Sequence, residues 1–125
     1  MRARALAEHE IEPSRRPGDT AEIRVTLDAE RGSERLEQRV IRFSPGRSQP
    51  QALDGVQGIL YVVSGTGTLH VGGSEHELEP ESGVYLVAGE SFEIDNPGPD
   101  ELVTVLVTSK QPNGTTPNPD PRVVR

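Results

Sequence analysis

From residue 21 onward the chain is a series of short runs, each ended by Gly, Pro, Asn or Asp. "AEIRVTL" (21–27), "LEQRVIRF" (36–43) and "SFEIDN" (91–96) alternate apolar and polar residues. "GILYVVSG" (58–65), "SGVYLVAG" (82–89) and "LVTVLVTS" (102–109) are denser in apolar residues, and "GTLHV" (67–71) and "EHELEP" (75–80) flank a "GGS" turn. A period of two sends successive side chains to opposite faces of an extended strand. No helical period follows the first ten residues. The pattern predicts about eight to ten short strands, and many short strands between Gly/Pro turns close into a sandwich or a barrel.

The 125 residues suit one compact domain. We expect three parts. Residues 1–20 form an irregular segment: "RARALAEHE" has material for a short helix, and Pro13 and Pro17 break any continuation. Residues 21–110 form the β-domain. The final "QPNGTTPNPDPRVVR", 111–125, has little to bury and reads as a flexible tail or linker. The rings available to a core are Phe43, Tyr61, Tyr85 and Phe92, so Val, Leu and Ile must build it. Such a core is small, and dimerisation would add buried area.

With no cysteine the chain has neither disulfides nor thiolate metal ligands. Its formal net charge of −7 argues against a nucleic-acid partner, and Arg15, Arg16, Arg39, Arg42 and Arg47 are interspersed with acids rather than forming a basic stripe. No apolar run is long enough to span a membrane. The N-terminal "MRARALAEHE" lacks the apolar centre of a signal peptide, so a cytoplasmic location is expected.

One spacing is informative. Gly46 is followed by five residues and then Ala52, Leu53 and Asp54; Gly58 and Gly65 come later, and "LYVVSGTGTLHVGG" continues from there. Further on, Glu81, Val87, Gly89, Phe92 and Asn96 fit a second spaced pattern. The first pattern resembles the first motif of the cupin family (Gly, five residues, His, one, His, three or four, Glu, six, Gly). The second resembles that family's Gly, Pro, Gly, His, Asn motif, of which Gly89 and Asn96 match. The resemblance covers about residues 22–109. It implies an all-β fold, a double-stranded-sheet jelly-roll barrel. It also implies that Ala52, Asp54, Gly58 and Phe92 stand where most cupins place their metal ligands. Only Asp54 among these has a donor side chain, so no metal and no other cofactor is expected.

Asp54 reads either as a general base inside the barrel or as a turn residue before Gly55, and we favour the turn. Phe92 either lines an apolar cavity or fills the barrel, and with Ala52 and Gly58 both small the filling reading is favoured. With Leu60 and Val62, these four complete the expected interior surface: Ala52, Asp54, Gly58, Leu60, Val62 and Phe92. Gln38, Arg42, Gln57, Tyr61 and Tyr85 are further polar-tipped candidates for the interior. The dense run "GILYVV" suggests burial on both faces, which would place Tyr61 at a sheet–sheet or subunit interface, or else in the core with its hydroxyl satisfied. His70 and His76 flank the Gly72–Gly73 turn, where exposed surface histidines are a better reading than a Zn or Ni site. "GTG" at 65–67 lies between strands and is no dinucleotide loop, and "NGT" at 113–115 is a bare sequon.

These features favour a metal-free barrel that binds a small ligand of apolar or mixed polarity, or serves as a structural and dimerisation module. The chain resembles the degenerate N-terminal half of a two-barrel cupin, so a homodimer or a second cupin barrel is the expected partner. A metal-independent isomerase, epimerase or cyclase with Asp54 as acid–base is the alternative. A metal enzyme using Asp54 with a displaced His70 or His76 is the weaker one.

Overall fold

The computed structural model describes residues 11–27, 36–53, 56–109 and 123–124. Among them no helix is long and apolar enough to cross a membrane. In chain order the strands are β1 (Ala21–Leu27), β2 (Leu36–Phe43), β3 (Gly46–Arg47), β4 (Gln51–Ala52), β5 (Gln57–Ser64) and β6 (Gly67–Val71). They continue as β7 (Ser74–Leu78), β8 (Gly83–Leu86), β9 (Ser91–Asn96), β10 (Leu102–Ser109) and β11 (Val123–Val124). The eight longer strands coincide with the eight runs read from the sequence. The two-residue strands β3, β4 and β11 are too short to show any period.

A six-stranded sheet has the order β1-β2-β10-β5-β8-β11, and a smaller sheet has the order β3-β9-β6-β7, with β4 also on β9. Every pairing is antiparallel. The chain crosses repeatedly between sheets: β2 to β3, β4 to β5, β5 to β6, β7 to β8, β8 to β9 and β9 to β10. Two antiparallel sheets knitted by such crossings, with apolar inner faces in contact, make a jelly roll. The inner faces meet in one cluster that includes Ile41, Phe43, Leu60, Val62, Leu69, Leu86, Phe92, Ile94 and Leu102.

Strand phase decides which residues enter that cluster. On β5, Leu60 and Val62 are fully buried while Ile59, Tyr61 and Val63 are 44%, 43% and 48% exposed. Burial of "GILYVV" is therefore one-sided, because among the described residues no layer covers the other face of the larger sheet.

Residues 11–20 pack onto the barrel. Ser14 bridges Ile23 by a pair of backbone hydrogen bonds of 2.7 and 2.8 Å, and Ile11 is buried. The helix considered for "RARALAEHE" lies outside the described residues. Of the stretch read as a tail, Val123–Val124 pairs with Val84 and Gly83 on β8.

Candidate binding site at the barrel mouth

Burial of Ile41 and Phe43 fixes the phase of β2, so the odd-numbered residues face inward. That places Glu37 and Arg39 on the inner face as well, near the start of the strand. Across the ladder, Glu37 is opposite Thr108 and Arg39 opposite Leu106. Thr108 is in turn opposite Gly58 and Leu106 opposite Leu60. A cavity of about 220 Å³ opens here. Its polar wall is Glu37, Arg39 and Thr108; its apolar wall is Ala52, Leu53, Val56 and Leu106. Arg39 Nε donates to Glu37 Oε2 at 2.6 Å, and Arg39 Nη2 lies 2.6 Å from the same oxygen. An ion pair two residues apart on one face of a strand is thus built into the mouth.

A second recess, of about 360 Å³, shares Arg39 and Ala52 with the first and continues to Ser14, Arg15, Arg16, Ile23, Pro50 and Gln51. Asp19 organises this side. Its carboxylate accepts hydrogen bonds from Ala21 N (3.1 Å), Gln49 N (3.0 Å), Gln51 Nε2 (3.2 Å) and Arg16 (2.9 Å from Nη2). Arg16 Nη2 also donates to Pro50 O at 2.8 Å. Burial pushes the Asp19 carboxyl up, but the bonds from Gln49, Ala21, Arg16 and Gln51 outweigh it and hold the group below its ordinary value. One buried acid thereby ties the N-terminal segment, the start of β1 and the β3–β4 connection into a single wall.

The residues expected at the interior separate into groups. Leu60, Val62 and Phe92 are core residues, 0%, 0% and 1% exposed. Phe92 stands opposite Gln51 and Val71 in the smaller sheet and occupies the space between the sheets. Ala52 is on the wall of both recesses. Gly58 is buried at the end of the mouth. Asp54 lies outside the described residues.

The polar-tipped candidates need a correction. Gln38, Arg42, Gln57, Tyr61 and Tyr85 all lie on the outer face of the larger sheet, since their neighbours Ile41, Phe43, Leu60, Val62, Val84 and Leu86 take the inner one. Gln38 Nε2 donates to Thr26 Oγ1 at 3.1 Å, Arg42 Nη1 to Glu101 Oε1 at 3.0 Å, and the Tyr85 hydroxyl to Gln57 Oε1. Glu37 and Arg39, which sequence reasoning passed over, face the mouth instead. The phase set by Ile41 and Phe43 was the signal that identifies them.

The spaced motifs divide into backbone-bound and donor positions. Gly65 has φ +90°, and a Cβ there would lie 2.7 Å from Glu101 O and 2.9 Å from Leu102 Cα. No L-residue fits that corner. Gly46 and Gly89 also have left-handed φ, +118° and +87°. Asn96 Nδ2 donates to Phe43 O and Asp100 O, both at 2.9 Å, and Asn96 Oδ1 accepts from Gly98 N at 2.8 Å. These residues hold turns and strand ends. By contrast, Ala52, Gly58 and Phe92 offer no side-chain nitrogen or oxygen. A Cβ built on Gly58 would sit 2.9 Å from Val107 O and 3.0 Å from Thr108 Cγ2, so Thr108 and β10 fill the space that a longer side chain would need. The donor set does not fit a transition metal, which requires several N or O ligands converging on one point.

Among the described residues no three His, Asp or Glu side chains are grouped to hold an ion. His70 and His76 were expected as exposed surface, yet both are half-buried, and their Nε2 atoms are buried without a hydrogen-bond partner. Leu69 is opposite His76 and His70 is opposite Glu75. Directly opposed residues share a face, so the two imidazoles lie on opposite faces of the hairpin and cannot ligate one ion.

Comparison with known proteins agrees with this geometry. Residues 39–108 match the family model described as the cupin domain. No curated protein matches the chain. Among solved structures, a protein described as a predicted oxalate decarboxylase from Thermotoga maritima is 21% identical, with a TM-score of 0.74 over 86% of this chain and 100% of that one. The polyketide cyclase RemF from Streptomyces resistomycificus is 18% identical, with a TM-score of 0.73 over 99% of this chain and 87% of that one. KdgF from Halomonas sp. is 18% identical, with a TM-score of 0.70 over 90% of this chain and 97% of that one. At these identities the likeness is one of fold, and a fold shared by proteins of such different description does not select a reaction. With the family model covering more than half of its length and its glycine corners explained by backbone geometry, the chain belongs to the cupin family.

Proposed function

We propose that this cupin binds a small molecule at the mouth formed by β2, β4 and β10, and that it does so without a metal ion. The observation that carries the reading is the pairing of two facts at one place. The family's ligand positions at 52, 58 and 92 are Ala, Gly and Phe, with Phe92 and Thr108 packed into the space. Beside them a cavity of about 220 Å³ combines apolar walls with one charged pair. Small-molecule sites are concave and mostly apolar, with a few placed polar groups.

A ligand screen by saturation-transfer NMR in the presence of EDTA tests this. Hits should bind in chelator and disappear in Val56→Trp, whose indole blocks the cavity while the chain stays folded by circular dichroism. Hits that require added divalent metal, or that survive Val56→Trp, contradict the reading.

A second reading, self-association, rests on a separate observation. The outer face of the larger sheet exposes Leu36, Ile59, Tyr61 and Val63, at 43–48%. On a chain of net charge −7 this is the face on which two copies would meet with little charge repulsion. We propose a homodimer through it, and the oligomeric state in solution tests it.

A further inference from the structure

We infer that the ligand of the mouth carries an anionic head, a carboxylate or a phosphate, on a small apolar body. The inference rests on the mouth being a small-molecule site and adds the chemistry of its ligand. On a chain of net charge −7, the wall of the second recess carries Arg15, Arg16 and Arg39 and, among the described residues, no acid. The three arise from separate parts of the fold, two from the segment before β1 and one from β2, so their convergence is a property of the tertiary structure. Of the partner acids, Asp19 is buried behind the wall, whereas Glu37 lines the adjoining cavity and is neutralised there by Arg39. Asp19 and Glu37 hold Arg16 and Arg39 by Nε and Nη2. Glu22 lies 3.7 Å from Arg15 Nη2, beyond hydrogen-bond distance.

A guanidinium has five N–H donors and cannot lose its charge. The bonds to Glu37 occupy one edge of Arg39, and its Nη1 donors are not used by them. Arg15 is the least committed of the three. The adjoining cavity, reached past Arg39 and Ala52, supplies Leu53, Val56 and Leu106 for an apolar body. Its ≈ 220 Å³ is below the range of drug-sized sites, so that body is small.

The experiment measures dissociation constants by NMR titration for benzoate, phenyl phosphate and the neutral benzamide, on wild type, Arg15→Gln and Arg39→Gln. Benzoate or phenyl phosphate should bind at least about tenfold more tightly than benzamide, as expected of charge-assisted hydrogen bonds. That advantage should shrink as salt is raised. Each variant should weaken the anions more than it weakens benzamide, so that the preference for the charged head shrinks. Arg15 is exposed and can be replaced without disturbing the fold, so it keeps the test valid if Arg39→Gln, which strands Glu37, unfolds. Benzoate binding with phenyl phosphate inert assigns the head as a carboxylate, and the reverse assigns a phosphate. Equal affinity for benzoate, phenyl phosphate and benzamide overturns the inference and leaves the small-molecule site standing. No binding by any of the three at millimolar concentration overturns the inference, whereas failure of the chelator screen removes the site itself.

Discussion

Gly58 is the position at which the packing argument is most exposed to measurement. Its φ lies outside the left-handed region, so the backbone there accepts any residue. Replacing a strand glycine by alanine on such a backbone normally stabilises by about 0.5–1 kcal/mol, because the unfolded chain loses freedom. Here the added Cβ would meet Val107 O at 2.9 Å, Thr108 Cγ2 at 3.0 Å and Leu106 Cδ1 at 3.4 Å. The nearest of these is backbone and cannot rotate away. β5 and β10 must separate by a few tenths of an ångström, and overpacking of this kind costs about 1–3 kcal/mol. The clash outweighs the gain, and Gly58→Ala should be less stable by roughly 1–2 kcal/mol. Urea melts would read this as a lower midpoint at an unchanged slope. Thr108→Ser removes the Cγ2 contact and leaves Val107 O in place. The double variant should therefore recover part of the loss, a coupling of about 0.5–1 kcal/mol. A Gly58→Ala protein as stable as wild type, or more so, would show that room for a longer side chain exists and would refute the filled-site reasoning.

Other outcomes follow from the same contacts. Asp19 has a lowered pKa in the fold, so its contribution to stability is fully present above the ordinary value of 3.8 and is lost as pH falls through the folded value. Asp19→Asn should destabilise by about 1–3 kcal/mol at neutral pH and flatten the acid limb of the stability curve; an unchanged limb in thermal melts from pH 2 to 6 would contradict this (the sampled range is about the usual carboxylate span). Tyr61→Glu, on the outer face of the larger sheet, should convert a dimer to a monomer in analytical ultracentrifugation without unfolding it. A wild-type protein that sediments as a monomer would remove the self-association reading.

The fold was legible because strand pattern and core are the same information. The alternation of "LEQRVIRF" and "SFEIDN" locates both the strand and its buried side. The side assignment of single polar residues was harder. Gln38 and Arg42 were candidates for the interior, and reading outward from Ile41 and Phe43 places Arg39 and Glu37 there instead. The dense run "GILYVV" does not say what covers its second face: within the single chain Ile59, Tyr61 and Val63 are exposed, because apolar residues on the outer face of β5 obey the same propensity as those in the core. Long-range contacts left no trace at all. That Arg15 and Arg16 come to lie beside Arg39 depends on Asp19 binding Gln49 and Gln51 across 30 and 32 residues. The glycine frame was visible, and the structure supplies its cause: Gly65 turns a corner against Glu101 and Leu102 whatever the barrel contains.

The central claim is that this barrel keeps the family's backbone corners without its ion-binding side chains. Elemental analysis by inductively coupled plasma mass spectrometry, on protein purified without chelator or affinity metal, tests it directly. The account predicts Fe, Mn, Ni, Cu and Zn all far below one atom per chain. One atom of any of them per chain, retained through gel filtration, would contradict it.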